Sequence, residues 1–266
     1  MNPTPTIQQI VEALEQVAPL SLQESYDNCG LIVGDPALPC TGALLTVDVT
    51  PEIVEEAAQK GCNLIVAHHP IIFRGLKRIN DNGSLPERSV ITAIRKGIAI
   101  YACHTSMDSA STGVSHEMAM MLGLTDIRPL TPNASDPTTG LGAIGRLEPA
   151  VTADRLVKMV KETFGSPVAR CNEFDMSRTI SSVGLCGGSG ASMIADAERA
   201  GAQAYITSDT KYHDFVDHAD RILLIDIGHH ESENCTKTIF YRIITEKFPI
   251  FAVRYSEFDN NPIKYL

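Results

Sequence analysis

The sequence predicts an α/β fold made of two lobes of similar plan, each around a largely parallel sheet. Three features predict it. A helical run, a glycine, a short β-branched strand and then polar residues recur in "PEIVEEAAQKGCNLIVAHHP", "SVITAIRKGIAIYACHTSMD" and "ASMIADAERAGAQAYITSDTKYH". Strands alternating with helices imply βαβ units and parallel pairing, and the unbroken apolar character of "LIVA" and "ILLIDI" suits strands covered on both faces. Finally, residues 42–70 laid over 182–210 keep one strand–loop–helix–Gly–strand order, with Leu45, Ala57 and Gly61 falling on Leu185, Ala197 and Gly201.

Taken in order, Thr6 reads as the N-cap of a helix whose Ile7, Ile10, Val11 and Leu14 keep helical spacing, and Pro19 ends it. This opening segment lacks the basic and apolar regions of a signal peptide. No stretch of 18 apolar residues occurs, so no membrane span is expected. Seven scattered cysteines, with no C-x-x-C pair, read as reduced thiols and point to a cytoplasmic location. In "YDNCGLIVGD", Asp27, Asn28 and Gly30 read as turn chemistry. The strand in "CNLIVAHHP" ends in His68 and His69, after which Pro70 forces a turn. Gly97 stops a helix ahead of a strand over 98–103. "STGVSHEMAMMLG" reads as a helix that Asp108 can cap. "LTPNASDPTTGLGAIG" (130–145), rich in Pro, Gly, Ser and Thr, reads as the crossing between lobes. A last strand over 222–227 leads through Gly228 into a helix beginning at His229.

Open α/β sheets carry their active groups beyond the carboxyl ends of the strands. Those ends carry His68 and His69, His104 with Asp108, Asp209 with His213, and His229 with Glu233. Imidazole and carboxylate without thiolate are the ligands of hydrolytic Zn, Mn or Fe centres. His229 and Glu233, four apart, share one helix face. His230 reaches Glu233 at i+3, so spacing does not choose between the two histidines. Taken singly, a strand-end histidine is more often a hydrogen-bonded surface or core residue than a ligand. The glycine loop Gly187, Gly188, Ser189 and Gly190 sits between a strand and a helix. Its N–H groups can cradle a substrate anion, or its glycines can serve a tight turn at positive φ. The net charge of −10 argues against nucleic acid as a partner, while a small anionic substrate can still be held by local groups or metals.

"SYDNCGLIVGD", "AHHPIIF", "HTSMD", "CGGSGAS", "SDTKYHDF" and "GHHESE" stand here in the order in which the NIF-three-like family (NGG-interacting factor three) has them. The closing "NNPIKYL" also resembles that family's end. Members are often named GTP cyclohydrolase I type 2 homologues. The resemblance implies intertwined lobes with the metal site in the cleft between them, the C-terminal segment returning to the first lobe. That puts residues 1–128 and 236–266 in the first lobe and 129–235 in the second. It implies a hexameric ring and a dinuclear centre whose ligands are His68, His69, Asp108, His229 and Glu233, with His104 and His213 close by, next to the metals or facing substrate. The chain departs from the family in Tyr26 (usually Trp), Ser106 (usually Asn), Ser208 (usually Gly) and His230 (often aromatic).

The function these features imply is a cytoplasmic hydrolase with two divalent ions (Zn, Mn or Fe) acting on a small phosphate-bearing substrate, for instance a nucleotide such as GTP. His104 and His213 would move protons as its catalytic groups. A two-metal phosphoesterase would use the same ligands, and a metal-binding regulatory or scaffold protein is the non-enzymatic alternative.

Overall fold

The computed structural model describes residues 4–258 and 261–266. In chain order it runs α1 (Ile7–Val17), β1 (Gly30–Val33), β2 (Ala43–Thr46), α2 (Pro51–Gln59), β3 (Leu64–Ala67), α3 (Leu85–Lys96), β4 (Ala99–Ala102), α4 (Thr105–Asp108), α5 (Val114–Met121), β5 (Thr125–Pro132) and β6 (Gly140–Thr152). It continues through α6 (Ala153–Phe164), β7 (Arg170–Cys171), β8 (Thr179–Leu185), α7 (Ile194–Arg199), β9 (Ala204–Thr207), α8 (Tyr212–Asp217), β10 (Leu223–Asp226), α9 (His229–Glu233), α10 (Thr236–Lys247) and β11 (Val253–Tyr255). Two compact units result: Met1–Met107 with Thr236–Asn260, and Asp108–Cys235 with Asn261–Leu266. Among the described residues no helix is long and apolar enough to cross a membrane.

The first unit holds a sheet in the order β1-β4-β3-β2-β11, parallel throughout except for β1 against β4. Local signals set its elements. Thr6 and Gln9 close a capping box at α1, a reciprocal arrangement that satisfies two of the helix's orphan N–H groups, and Gly97 ends α3 in the left-handed conformation at φ 65°. Ile65 and Ile100 face the core packed by Ile53, Val54, Val90 and Ala93 from α2 and α3. On the opposite face Tyr101 is fully buried and its hydroxyl donates to Glu15 of α1 at 3.4 Å.

The second unit holds a sheet in the order β5-β6-β8-β9-β10-β7. Only β8-β9 and β9-β10 are parallel; β5-β6, β6-β8 and β10-β7 are antiparallel. The sheet is therefore mixed, not mostly parallel as the sequence suggested. The stretch 130–145, read from its composition as a crossing, is instead part of the β5–β6 hairpin with a loop over 133–139. The hairpin joins the edge strand β5 to the interior strand β6, and Gly142 takes φ 66°, a conformation that costs glycine little. This hairpin and α5 lie in the second unit, so the units part at Met107 and Asp108 and not at 128 and 129. Residues 261–266 also fall in the second unit, while α10 and β11 return to the first. The offset of 140 between the two βαβ repeats holds in space: β3 (Leu64–Ala67) corresponds to β9 (Ala204–Thr207).

β11 reaches the first unit from far along the chain, and Glu56 of α2 helps to hold its exit. Its side chain, 2 % exposed, accepts from the Ser256 hydroxyl, from the Glu257 N–H at 2.8 Å and from Lys60 at 2.7 Å. Burial raises the Glu56 carboxyl, but these donors outweigh it and leave the group below its ordinary value. A depressed carboxyl stabilises the fold fully above its unfolded pKa of about 4.3, and that contribution is lost as pH falls through the folded value. Replacing Glu56 with Gln is expected to cost about 1–3 kcal/mol at pH 7, and the gap to wild type should narrow towards pH 3. Urea unfolding at both pH values measures it, and equal stabilities at pH 7 would refute the role.

Candidate metal centre

The first unit brings three histidines together. Beyond β3 the ladder to β2 continues through His68 N–H to Thr46 O (3.2 Å) and His69 N–H to Val47 O (2.9 Å), which fixes both residues at the strand end. His104 follows β4, the neighbouring strand. The rings form a triangle with centroids 5.0, 5.1 and 5.3 Å apart, and one ligand nitrogen from each lies within 4.8 Å of the others.

Each of these rings is fixed through Nδ1. His68, fully buried, bonds the Cys103 carbonyl at 3.1 Å, and His69 bonds Asp48 Oδ1 at 2.9 Å. His104 bonds Asp27 Oδ1 at 2.9 Å. A carbonyl or carboxylate only accepts, so Nδ1 carries the proton and the ring's lone pair sits on Nε2. Asp27 is thus more than the turn residue its sequence suggested. Its side chain is 0 % exposed and also accepts from the N–H groups of Asn28 and Thr105 and the Thr105 hydroxyl. Burial would raise this carboxyl, yet the bonds from His104, Thr105 and Asn28 hold it well below the usual carboxylate range. Phe73 (46 % exposed) stands edge-on to His104 at 6.2 Å, and Tyr26 (62 % exposed) stands against Phe73 with ring centroids 6.3 Å apart.

The second unit gathers carboxylates. His229 opens α9, with Gly228 before it at φ 92°. Its Nδ1 bonds Asp209 Oδ2 at 2.7 Å, and its Nε2 lies 2.9 Å from Glu233 Oε2. The structure therefore pairs His229, not His230, with Glu233; the buried His230 Nε2 has no hydrogen-bond partner among the described residues. Asp209 holds its position at φ 55°, unusual for a non-glycine residue. Asp108 ends α4 without capping α5, whose N-cap is Gly113. Burial first, then the charges of Asp108 and Glu233, push the Cys186 thiol upward, and Cys235 is raised by burial and by Glu117, Glu233 and Asp108. His213 is exposed on the first turn of α8 and edge-on to Tyr212 at 5.3 Å.

The glycine loop has a packing task. A Cβ on Gly188 would stand 2.0 Å from Glu233 Oε1 and 3.4 Å from His229 Cε1, and its φ is 63°. The Gly188 N–H is spent on Ser232 Oγ (2.9 Å) and the Gly190 N–H on Thr207 Oγ1 (2.9 Å). Those two donors are committed inside the fold, which leaves Gly187 and Ser189 as the loop's candidate substrate contacts.

These donor sets suit divalent metal ions. With Nδ1 protonated toward Asp209, His229 Nε2 and the Glu233 carboxylate are two acceptors 2.9 Å apart, which requires a cation or a second ring proton between them. Histidines oriented through Nδ1 by carboxylates or carbonyls are also the usual outer arrangement of metal-binding imidazoles. Sequence reasoning missed Asp27 and Asp48, because an aspartate in a turn looks the same whether its oxygens face solvent or an imidazole.

A family profile described as Duf34/NIF3 (NGG1p interacting factor 3) matches residues 5–262. The chain is 33 % identical over 225 residues to the GTP cyclohydrolase 1 type 2 homolog of Clostridium perfringens, covering 84 % of this chain and 85 % of that one. It is 31 % identical over 267 residues to NIF3-like protein 1 of Drosophila melanogaster, covering 96 % and 87 %. Among solved structures, Staphylococcus aureus hypothetical protein SA1388 matches with a TM-score of 0.91 at 26 % identity over 100 % of both chains. A Bacillus cereus protein related to NIF3 shares the fold with a TM-score of 0.92 at 23 % identity, again over 100 % of both chains.

Three substitutions check this geometry. Gly188→Ala should displace Glu233 and add about 1–3 kcal/mol of backbone strain, lowering both metal content and melting temperature; an unchanged metal content would mean that Glu233 is not a ligand. Glu233→Gln should weaken metal binding at least ten-fold, whereas His230→Ala should leave it near wild type. Equal losses in the two variants, read by elemental analysis, would reverse the choice of histidine.

Proposed function

Because the chain belongs to the Duf34/NIF3 family, we propose that it is a metal-dependent hydrolase in which His68, His69, Asp108, His229 and Glu233 hold two divalent ions of the Zn, Mn or Fe type. The observation that carries this reading is the shared tautomer: His68, His69 and His229 each bond an acceptor through Nδ1 and present Nε2. Two bound ions would lower the pKa of a water and polarise a carbonyl, imine or phosphoryl oxygen.

The chain's own residues do the rest. His104, fixed by Asp27, accepts a proton at Nε2, and the buried carboxylate stabilises the imidazolium that forms. His213, open to solvent on α8, is the second proton carrier. Phe73 beside His104, with Tyr26 against it, offers exposed aromatic surface, which supports a substrate with a planar heterocycle, such as a nucleotide. The name GTP cyclohydrolase 1 type 2 homolog carried by the clostridial relative supports the same class. Gly187 and Ser189 of the glycine loop complete the substrate contacts, and assembly as a hexameric ring in the cytoplasm belongs to this reading.

Protein loaded with Mn, Zn or Fe is expected to turn over GTP or a related nucleotide, and Asp108→Asn should reduce that rate at least 100-fold. If fully metallated protein neither binds nor cleaves any nucleotide tested, the regulatory or scaffold reading replaces this one. Cleavage of simple phosphoesters alone would favour the two-metal phosphoesterase.

A further inference from the structure

A cavity of about 320 Å³ opens within the second unit, lined by α5, the β5–β6 hairpin and the turn after α4. Asp108 contributes to its wall, as do Ser111, His116, Arg128 and Thr138. Such a volume lies at the lower end of ordinary small-ligand sites. Arg128 comes from β5, opposite Ile144 of β6, and His116 from the first turn of α5. Among the described residues neither the Arg128 guanidinium nor the His116 ring has a hydrogen-bond or ion-pair partner. Both therefore present uncommitted donors on the wall of one cavity.

We propose that this cavity is the phosphate subsite of the substrate, with Arg128 as its principal anchor. A guanidinium offers parallel N–H groups to two oxygens of one phosphoryl group. The His116 ring supplies a second donor and the Ser111 hydroxyl can meet a remaining oxygen, while the Thr138 hydroxyl, which donates to Asp136 Oδ1 at 2.7 Å, can only accept from a sugar hydroxyl. Asp108 is the one carboxylate on the wall. In the reading of the preceding subsection its charge is spent on metal, so the cavity presents net positive character to the ligand. Its volume admits a sugar phosphate as well as the bare ion. The subsite also supplies what the glycine loop lacks, since the N–H groups of Gly188 and Gly190 are committed to Ser232 and Thr207. The placement beside Asp108 rests on the metal reading; the anion binding itself does not.

The test is calorimetric titration of the full chain with inorganic phosphate and with ribose 5-phosphate, before and after removal of metal by chelation. Arg128→Gln is expected to weaken ribose 5-phosphate at least ten-fold in both metal states, with metal content equal to wild type. Arg128→Lys should fall between the two, because an ammonium keeps the charge and loses the two-pronged geometry. Since Arg128 is an exposed edge-strand residue, its variants should unfold at the wild-type midpoint. Affinity unchanged in Arg128→Gln, or no binding by wild type in either state, overturns the subsite. Failure of the metal reading shows itself separately, as wild-type protein that takes up no metal, and the chelated titrations still decide the subsite.

Discussion

The structure around the candidate centre depends on one recurring bond, from a histidine Nδ1 to an oxygen that can only accept. It occurs at His68 with a carbonyl, and at His69, His104 and His229 with Asp48, Asp27 and Asp209. Each bond fixes a tautomer and a ring orientation together, so the direction of each Nε2 lone pair is decided before any ligand arrives. The supporting aspartates are placed with care. Asp27 is fully enclosed and saturated with donors, and Asp209 sits in a left-handed backbone conformation that few aspartates adopt. Such costs persist where the surrounding structure determines them, and they cluster at functional sites.

The two units differ in chemistry. In the first, His68, His69 and His104 stand together with exposed Phe73 edge-on to His104; in the second, His229 stands against Glu233. Gly188 shows how closely the backbone accommodates this arrangement: the volume a side chain would need is occupied by Glu233 itself.

Much of this was legible in the sequence. The βαβ grammar, the strand-end histidines and the 140-residue offset between repeats all hold, because a short β-branched run between glycine and polar residues has few other ways to pack. His69 and Asp209 occupy equivalent positions after β3 and β9, so the repeat even marks where chemistry is delivered. The antiparallel half of the second sheet was not legible. Its hairpin is built from residues whose composition also describes a linker, and only pairing at long range tells them apart. Asp27 escaped for a similar reason, since the 77 residues separating it from His104 hide a contact that periodicity cannot report. The choice of His229 over His230 needed the turn at Gly228, which sets the rotation of α9.

The return of the chain to its first unit has a consequence for synthesis on the ribosome. The Ser256 and Glu257 donors to Glu56 lie 200 and 201 residues downstream of it, and β11, which extends the sheet beyond β2, follows at Val253–Tyr255. Nearly all of the second unit is contiguous and can collapse as soon as it emerges. The first unit, translated earlier, must wait with the β2 edge uncovered and the Glu56 carboxylate lacking its Ser256 and Glu257 donors until residues 253–257 have been made. The part of the protein made first is the part finished last, so the nascent first unit is where chaperone contact is most needed.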